Sequence, residues 1–508
     1  MSERLEELIR KRASGHGADR FLWSPGATSF EGRWMTGREF MLLADQCAET
    51  LQKTGFRGGD RIVAFLPNCP MVHILSLAVW TLGGTFAPIN PRGGAEWTER
   101  IVAHLAPALV VTGPGFDAIA EIAGRCGIPS VQVSPVGPLP DIHIRTMDVP
   151  GSADTAVIFA TSGTTGLPKA VPLTHANLID NTTAVHHTVE GFEKGKTLMN
   201  VLPNFHSFGF TVCGLLPLVC GLSEALSPSF MPLPAFFESL RAARPDILIA
   251  VPTMLPFILG AVSKGEKLPE NLRYILTGGG RLDPALEARF RKELGVITFE
   301  GYGLTECSPV VASNPSDARR RTGTVGLPMP SYDIQVRDEA KTPLPAGEEG
   351  VLWVRGPSVS AGYFRDPEQT AERFHDGWFN TGDMVRIDAD GYIAILDRVS
   401  DMLVVSGFNV YPQEVETVIR EIPGVRETAV VGVSNPVTGE VPVAFVIADE
   451  SAGLTQGDIV GRCKSKLAHY KVPRKVRFVT ELPMSSVGKV LKRKLREMMV
   501  KETKSPSL

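Results

Sequence analysis

The pattern of apolar and polar residues predicts strands and helices that alternate along most of the chain. Residues 38–55 have the spacing of an amphipathic helix, and residues 60–67 form a short apolar run typical of a buried strand. Because such alternation is typical of parallel sheets covered by helices on both faces, we expect an α/β protein. It continues in helices at 71–83, 175–189 and 236–243 and in strands at 85–89, 155–160, 197–202 and 247–251.

The pattern changes twice towards the C-terminus. Short strands and turns between residues 323 and 396 predict a β-rich subdomain that completes a large N-terminal domain of mixed αβα sheets. Because 508 residues are too many for one core, we predict a large domain over 1–396 and a small α+β domain over 397–508. The small domain is predicted to contain a hairpin at 401–410, helices at 412–422 and 455–468, strands at 427–433, 441–447 and 475–478, and a basic C-terminal helix.

Composition excludes several classes of protein. A net charge of −3 gives no basic excess, so we expect no nucleic-acid partner. The seven cysteines form no C-x-x-C pair, which favours a reducing compartment and argues against a thiolate zinc site. We therefore expect a cytoplasmic protein.

Membrane insertion is not expected. Residues 1–12 form a charged amphipathic stretch without the apolar core of a signal peptide. The most apolar stretches, 74–89 and 208–222, are interrupted by Gly, Thr or Pro and are too short for a bilayer span. Weak peripheral contact with a membrane stays open, because an apolar substrate could be collected there. Monomer and homodimer are both left open.

The most specific segment is the loop at residues 159–169, which follows an apolar strand and precedes a helix that begins near Thr174. Its glycines, Gly163 and Gly166, allow close approach of the backbone to an anion. Lys169 adds a positive charge suited to outer phosphates. Hydroxyl donors stand at Thr161, Ser162, Thr164 and Thr165. The spacing differs from that of a Walker loop, and the alternative interpretation is a surface turn of small polar residues.

With this loop, the chain resembles the adenylate-forming superfamily, which includes acyl-CoA synthetases, luciferase and peptide-synthetase adenylation domains. Further motifs follow in the order of that superfamily over nearly the whole chain. They are Pro203-Asn-Phe-His-Ser-Phe-Gly209, Thr277-Gly-Gly-Gly280, Glu300-Gly-Tyr-Gly-Leu-Thr-Glu-Cys307, Trp378-Phe-Asn-Thr-Gly-Asp383, Asp397-Arg398, Ser406-Gly-Phe-Asn-Val-Tyr-Pro412 and Pro483 with Gly488-Lys489.

The resemblance implies ATP, Mg²⁺ and coenzyme A as cofactor and cosubstrates, with a small-molecule carboxylic acid as substrate. It assigns the metal to Thr165 and Glu306, and catalysis to Lys489, Glu306, Thr165 and His206. This chemistry requires no protein nucleophile. A lysine suits it, because a positive charge stabilises the approach of two anions. ATP and AMP binding are assigned to Thr161, Ser162, Gly163, Thr164, Thr165, Gly166, Lys169, Gly279, Gly280, Glu300, Gly301, Tyr302, Thr305, Asp383, Arg398 and Lys489.

The resemblance also implies a mobile small domain that rotates between two half-reactions. Coenzyme A would bind at Ser406, Gly407 and Phe408, where the backbone passes close to the thiol arm. The chain departs from the usual pattern at the hinge, where Ser400 replaces Lys or Asp. Val404 and Ala170 also replace residues frequent in the superfamily.

The acyl pocket is assigned to Phe205, His206, Gly209, Thr253, Gly278 and Gly303. Its segments are apolar, and Gly209 and Gly214 are expected to open space for an alkyl chain. The amino-acid sequences of the motifs are most similar to those of medium- and long-chain fatty acyl-CoA synthetases. An aryl acid, an acyl carrier protein as acceptor and an inactive nucleotide-binding homologue remain alternatives. His206 is interpreted either as a gate beside the acyl carboxylate or as a core histidine.

Overall fold

The structure is a computed structural model that describes residues 3–15, 19–25, 34–146, 151–161, 169–406, 408–435, 438–484 and 490–504. Tertiary contacts divide the chain into two compact units. The first unit consists of Met1–Ile334 and Val354–Phe379, and the second of Gln335–Trp353 and Asn380–Leu508. The boundary predicted between residues 396 and 397 stays a prediction.

The helices and strands of the described residues follow one another closely along the chain. The α-helices are α1 (Leu5–Ala13), α2 (Gly37–Lys53), α3 (Met71–Thr81), α4 (Ala95–Leu105), α5 (Asp117–Arg125), α6 (His175–Thr188), α7 (Leu216–Cys220), α8 (Leu233–Ala243), α9 (Leu255–Ser263), α10 (Pro284–Leu294), α11 (Pro367–Arg373), α12 (Pro412–Arg420), α13 (Gln456–Lys466) and α14 (Lys492–Lys504). The strands are β1 (Leu22–Trp23), β2 (Arg61–Phe65), β3 (Thr85–Pro88), β4 (Leu109–Thr112), β5 (Ser130–Gln132), β6 (Thr155–Thr161), β7 (Lys169–Thr174), β8 (Thr197–Asn200), β9 (Ser223–Leu226), β10 (Ile247–Ala250), β11 (Tyr274–Thr277), β12 (Ile297–Gly303), β13 (Val310–Ser313), β14 (Leu327–Pro328), β15 (Asp333–Arg337), β16 (Glu349–Arg355), β17 (Phe374–His375), β18 (Trp378–Ile387), β19 (Ile393–Arg398), β20 (Leu403–Val405), β21 (Phe408–Val410), β22 (Val425–Asn435), β23 (Gly439–Ala448) and β24 (Lys475–Phe478).

Two largely parallel sheets form the first unit. One has the strand order β5-β4-β2-β3-β6-β7 and the other β1-β9-β8-β10-β11-β12-β13-β14. Every residue of β2, β3 and β4 is buried, as expected for parallel strands covered on both faces. The predicted α/β class is therefore confirmed.

Local sequence explains where several helices begin. At the start of α2, the Thr36 hydroxyl accepts a hydrogen bond from Glu39 N at 3.2 Å, and Glu39 accepts one from Thr36 N at 2.8 Å. Thr174 and Asn177 form the same reciprocal cap before α6. These caps satisfy amide groups that have no partner within the helix.

Short helices of other types lie between these elements. Residues Phe208–Leu215 form a π-helix, which continues into α7. The 3₁₀ helices are Pro252–Met254, Thr305–Cys307, Glu450–Ala452 and His469–Lys471. The sequence predicts burial of the 208–222 stretch, but its periodicity does not predict a π-helix.

The second unit contains a sheet of strand order β21-β20-β23-β22, with β24 beside β23. Helices α12 and α13 cover it over a core that includes Leu403, Val415, Val430 and Ile459. Antiparallel pairing of β18 with β19 places Asp383 opposite Arg398. The hairpin, helices and strands predicted for residues 401–478 are confirmed, with ends shifted by at most two residues.

Candidate active site

The two ends of the predicted phosphate loop are held together by a pair of antiparallel strands. Thr161 at the end of β6 lies opposite Lys169 at the start of β7, and its hydroxyl donates to the Lys169 carbonyl at 3.5 Å. The sequence predicts the strand before the loop and the helix from about residue 174, and both are confirmed. It does not predict β7, which places Lys169 at the base of the loop.

Tyr363 contacts two of the predicted site residues. The Lys169 Nζ lies 4.9 Å from the centroid of the Tyr363 ring, a cation–π distance. The Tyr363 hydroxyl donates a 2.8 Å hydrogen bond to Glu306 Oε1. Burial, and then the negative charge of Glu306, raise the pKa of Tyr363 well above its ordinary value, so the phenol stays a donor at neutral pH.

The turn that carries Glu306 is fixed by a buried asparagine of α6. Asn181 Nδ2 donates to the carbonyls of Cys307 and Val310 at 3.2 and 2.9 Å, and Asn181 Oδ1 accepts from Val310 N at 3.1 Å. The Glu306 carbonyl accepts from Ser360 N at 2.8 Å. These bonds hold the backbone from Glu306 to Val310.

Glu306 fits the requirements of a magnesium ligand. The Tyr363 hydroxyl orients one oxygen of the carboxylate, and the described residues give the other oxygen no hydrogen-bond partner. Mg²⁺ is commonly held by one or two carboxylates together with phosphate and water oxygens. No cluster of three or more His, Cys, Asp or Glu side chains suited to a metal occurs in the described part.

Glu300 and Tyr302 lie on β12, ahead of the Glu306 turn. Glu300 is buried and accepts from Leu282 N at 3.0 Å. Burial raises the pKa of Glu300 to about 7, and the bond from Leu282 N opposes that rise. Tyr302 is half-buried, and the glycine turn ahead of α10 has Gly279 at φ +79°.

His206 lies on a short segment with a fixed backbone. Its Nδ1 accepts from Phe208 N at 3.2 Å, so a neutral imidazole carries its proton on Nε2. The neighbouring Ser207 hydroxyl lies 3.1 Å from the Thr305 hydroxyl, next to Glu306 in sequence. The structure therefore brings the predicted aromatic/His motif and the predicted metal motif together.

The glycines of the predicted acyl pocket have a different role from the one expected. A Cβ atom on Gly209 would lie 2.3 Å from the Pro203 carbonyl oxygen, and one on Gly214 would lie 2.3 Å from the His73 imidazole. Both glycines therefore permit close packing, and they do not open space for an alkyl chain. On Gly303, a Cβ would lie 2.1 Å from the Pro309 carbonyl oxygen. Thr253 is exposed, and Phe205 is half-buried.

The predicted ribose contacts are paired within the second unit. Arg398 Nε lies 3.1 Å from Asp383 Oδ1, with the carboxylate buried and the arginine side chain 56% exposed. The neighbouring Asp397 accepts from the amides of Arg398 and Gln413 at 2.8 and 3.0 Å. Asp397 thus fixes the backbone, and Arg398 presents its side chain outward.

Of the predicted coenzyme A residues, Ser406 follows β20 and Phe408 begins β21. Ser406 has φ +52°, in the left-handed region that non-glycine residues rarely adopt. Phe408 is 55% exposed, and its ring stacks on that of Tyr470 at 4.7 Å. At the predicted hinge, the Ser400 carbonyl accepts from Arg496, which also pairs with Asp401 at 2.9 Å.

Several predicted site residues lie outside the described residues. These are Ser162, Gly163, Thr164, Thr165, Gly166, Gly407 and Lys489. Their roles stay predictions. Conversely, sequence reasoning missed Tyr363 and Asn181. Tyr363 has only the weak signal of an aromatic residue after a glycine in a polar stretch, and Asn181 is one of many polar residues on a helix.

Comparison with known proteins identifies the class to which this fold and site belong. The sequence matches the AMP-binding enzymes over residues 9–364 and the C-terminal domain of AMP-binding enzymes over residues 414–489. The chain therefore belongs to the AMP-binding enzyme family. Within that family it is an AMP-forming acyl-CoA ligase, which uses ATP and coenzyme A and works through an acyl-adenylate.

Three similar proteins illustrate this assignment. The chain is 32% identical to a long-chain-fatty-acid–CoA ligase of Yersinia pestis, with 92% of this chain and 91% of the relative covered. It is 31% identical to a feruloyl-CoA synthase of an Amycolatopsis species, with coverage of 93% and 96%. The crystal structure of ATP-bound MatB from Rhodopseudomonas palustris superposes with a TM-score of 0.87 at 30% identity, covering 99% and 100% of the two chains.

None of the helices in the described residues combines the length and the apolar character that a bilayer span requires.

Proposed function

We propose that the enzyme activates a fatty acid of medium or long chain. The observation that carries this proposal is the uncharged character of the segments assigned to the acyl pocket. Residues 205–214, 247–254 and 276–280 contain no Asp, Glu, Lys or Arg. A substrate with a second charge would lose hydration there without gaining a partner, whereas an alkyl chain gains from burial.

In the first half-reaction, a carboxylate oxygen of the acid bonds to the α-phosphorus of ATP and pyrophosphate leaves. Two anions must approach each other, so positive charge and alignment are the main requirements. Lys169 and Lys489 supply that charge, and Asp383 accepts hydrogen bonds from the ribose with Arg398 beside it. A bound Mg²⁺ would neutralise the outer phosphates, with Glu306 and Thr165 as its ligands.

In the second half-reaction, the sulfur of coenzyme A bonds to the acyl carbonyl carbon and AMP leaves. The contact with the pantetheine arm is formed by Ser406, Gly407 and Phe408. Rotation of the small domain about Ser400 withdraws Lys489 from the active site and brings these three residues to it. The exposed ring of Phe408, stacked on Tyr470, supports this assignment, because it offers an apolar surface to that arm.

An aryl acid is the second candidate substrate. The similarity to feruloyl-CoA synthase, at 31% identity over 93% of the chain, favours it. The same uncharged segments accommodate a flat aromatic acid, and a comparison of the two kinds of acid as substrates separates the two classes.

The experiment that tests the proposal is a series of acids with ATP, Mg²⁺ and coenzyme A, in which AMP and thioester are measured. We expect the highest kcat/KM for saturated acids of medium or long chain. A higher kcat/KM for cinnamic-type acids would overturn the fatty-acid proposal in favour of an aryl-CoA ligase. Absence of acid-dependent ATP–pyrophosphate exchange across the whole series would indicate an inactive nucleotide-binding homologue.

The acceptor is tested in parallel. We expect thioester with coenzyme A and none with an acyl carrier protein in its place. Thioester formed only on the carrier protein would assign the enzyme to the acyl–acyl-carrier-protein synthetases.

We also propose a cytoplasmic location, because no disulfide forms among the seven cysteines. Their reduced state suits a reducing compartment. Localisation of a tagged chain in its native cell tests this, and its recovery outside the cytoplasm would contradict it.

A further inference from the structure

A chain of buried polar side chains lies behind the segment that carries His206. His73 Nε2 donates to Glu224 Oε1 at 3.1 Å, and Asn200 Nδ2 donates to the same oxygen at 2.7 Å. Asn200 Nδ2 also donates to Asn204 Oδ1 at 3.0 Å. All four side chains are at most 2% exposed, and they connect α3, β9 and β8 to the residue two positions before His206.

Asn68 also forms hydrogen bonds to the backbone of the segment that carries His206. Asn68 Oδ1 accepts from Asn204 N at 2.9 Å, and Asn68 Nδ2 donates to the Leu202 carbonyl at 2.7 Å. We call His73, Glu224, Asn200, Asn204 and Asn68 the Asn204 network. Through it, both the backbone and the side chain of Asn204 are fixed by hydrogen bonds.

The network also contacts the π-helix that follows His206. The imidazole of His73 occupies the space beside the Cα of Gly214, near the end of that helix. At the start of the helix, Gly209 packs against the Pro203 carbonyl. A π-helix is a rare conformation that occurs frequently at functional sites, and here both of its ends rest on residues that hold the His206 segment.

The network costs stability. Among the described residues, Glu224 Oε2, Asn200 Oδ1 and Asn204 Nδ2 have no hydrogen-bond partner. A buried polar atom without a partner lowers stability, because it loses its hydrogen bonds to water on folding, so packed apolar side chains would make a more stable core here. Groups that lower stability are expected where function needs a fixed geometry.

We propose that the Asn204 network is a positioning device for the acid substrate. It fixes the segment Asn204–Ser207 between the network and Thr305, and so holds the imidazole of His206 beside the acyl carboxylate. Asn204 is thus a positioning residue that acts through His206. This inference rests on the proposed function, since it needs an acid bound at His206.

The first test is the variant Asn204→Ala, assayed for acid and ATP separately. We expect the KM for the acid to rise about 10-fold, because a displaced imidazole loses its hydrogen bond to the charged carboxylate of the acid. The KM for ATP should change less than about 2-fold. Asn68→Ala provides the same test if Asn204→Ala does not fold.

Thr85→Val is the matched control. Thr85 is 1% exposed, and its hydroxyl donates to the Thr155 carbonyl at 2.9 Å in the other sheet of the same unit. This variant should lower the Tm without raising the KM for the acid. An equal rise in the KM for acid and ATP in Asn204→Ala would overturn the proposal.

A double-mutant cycle tests whether the network acts through His206. In a His206→Ala background, Asn204→Ala should change kcat/KM for the acid less than about 2-fold, because no imidazole remains to be positioned. A full, additive loss in that background would assign Asn204 a general structural role and refute the positioning role.

The wild-type assay distinguishes a failure of the proposed function from a failure of the positioning role of Asn204. If the wild-type protein shows no acid-dependent pyrophosphate exchange, the proposed function fails. If the wild-type protein is active and Asn204→Ala and Asn68→Ala both keep the wild-type KM for the acid, only the positioning role fails.

Discussion

The Tyr363 hydroxyl donates a 2.8 Å hydrogen bond to the Glu306 carboxylate. The face of the same ring lies 4.9 Å from the Lys169 ammonium. One side chain thus joins the lysine at the base of the predicted phosphate loop to the carboxylate of the predicted metal site. We therefore expect binding of ATP and binding of Mg²⁺ to depend on each other through Tyr363.

Tyr363→Phe removes the hydrogen bond and keeps the ring below Lys169. A hydrogen bond to a charged group contributes about 1.5–3 kcal/mol, so we expect kcat/KM for ATP to fall at least about 10-fold. The Mg²⁺ concentration for half-maximal pyrophosphate exchange should rise, as measured by magnesium titration.

The control for this variant is Tyr274→Phe. Tyr274 also donates to a carboxylate, Glu190, at 3.0 Å, but neither residue belongs to the predicted site. A wild-type magnesium requirement in Tyr363→Phe would show that the hydrogen bond does not orient Glu306 for the metal.

Glu306→Gln keeps the shape of the side chain and removes its charge. We expect a loss of kcat of at least about 100-fold at fixed Mg²⁺, because a neutral amide is a poor ligand for a hard cation. Binding of Mn²⁺ in the presence of ATP, followed by electron paramagnetic resonance, should weaken in parallel. Unchanged metal binding would exclude Glu306 as a ligand.

Lys489→Ala should separate the two half-reactions. Adenylate formation, measured by pyrophosphate exchange, should fall at least about 100-fold, because the lysine stabilises the approach of two anions. Thioester formation from acyl-adenylate supplied ready-made should stay within about 3-fold of wild type. Equal losses in both assays would contradict this division, and exposed Lys494→Ala is the control.

Glu300 should make stability depend on pH. Burial raises the pKa of Glu300 from 4.5 to about 7, so the folded protein holds this proton more tightly than the unfolded chain. The free energy of unfolding therefore falls as pH rises from about 4.5 to about 7, by on the order of 3 kcal/mol. Glu300→Gln, which cannot ionise, should be more stable than wild type near pH 8 and lose that advantage near pH 5.

Denaturant unfolding of both proteins at the two pH values measures this difference. Glu293→Gln is the control, because a hydrogen bond from Arg289 lowers the pKa of the exposed Glu293 carboxylate below its ordinary value, so its effect on stability should be the same at both pH values. A stability difference between Glu300→Gln and wild type that does not change with pH would show that Glu300 has an ordinary pKa in the folded protein.

Patterns in the sequence are sufficient to predict the α/β class, most elements of both units and the family to which the chain belongs. Strand and helix periodicity is local, and the family motifs are contiguous, so both can be recognised without coordinates. This is why the pairing of β20 with β21 and the motifs around Thr305, Asp383 and Arg398 were predictable.

The contacts between side chains that are distant in sequence could not be predicted in this way. Tyr363 reaches Glu306, Asn181 holds the Glu306 turn, and Asn204 is tied to His73 through Glu224 and Asn200. Such contacts depend on how strands and helices pack, and no local spacing encodes them. The same reason explains the error at Gly209 and Gly214: a glycine leaves space for a neighbour, and only the fold determines whether a ligand, a carbonyl or an imidazole occupies it.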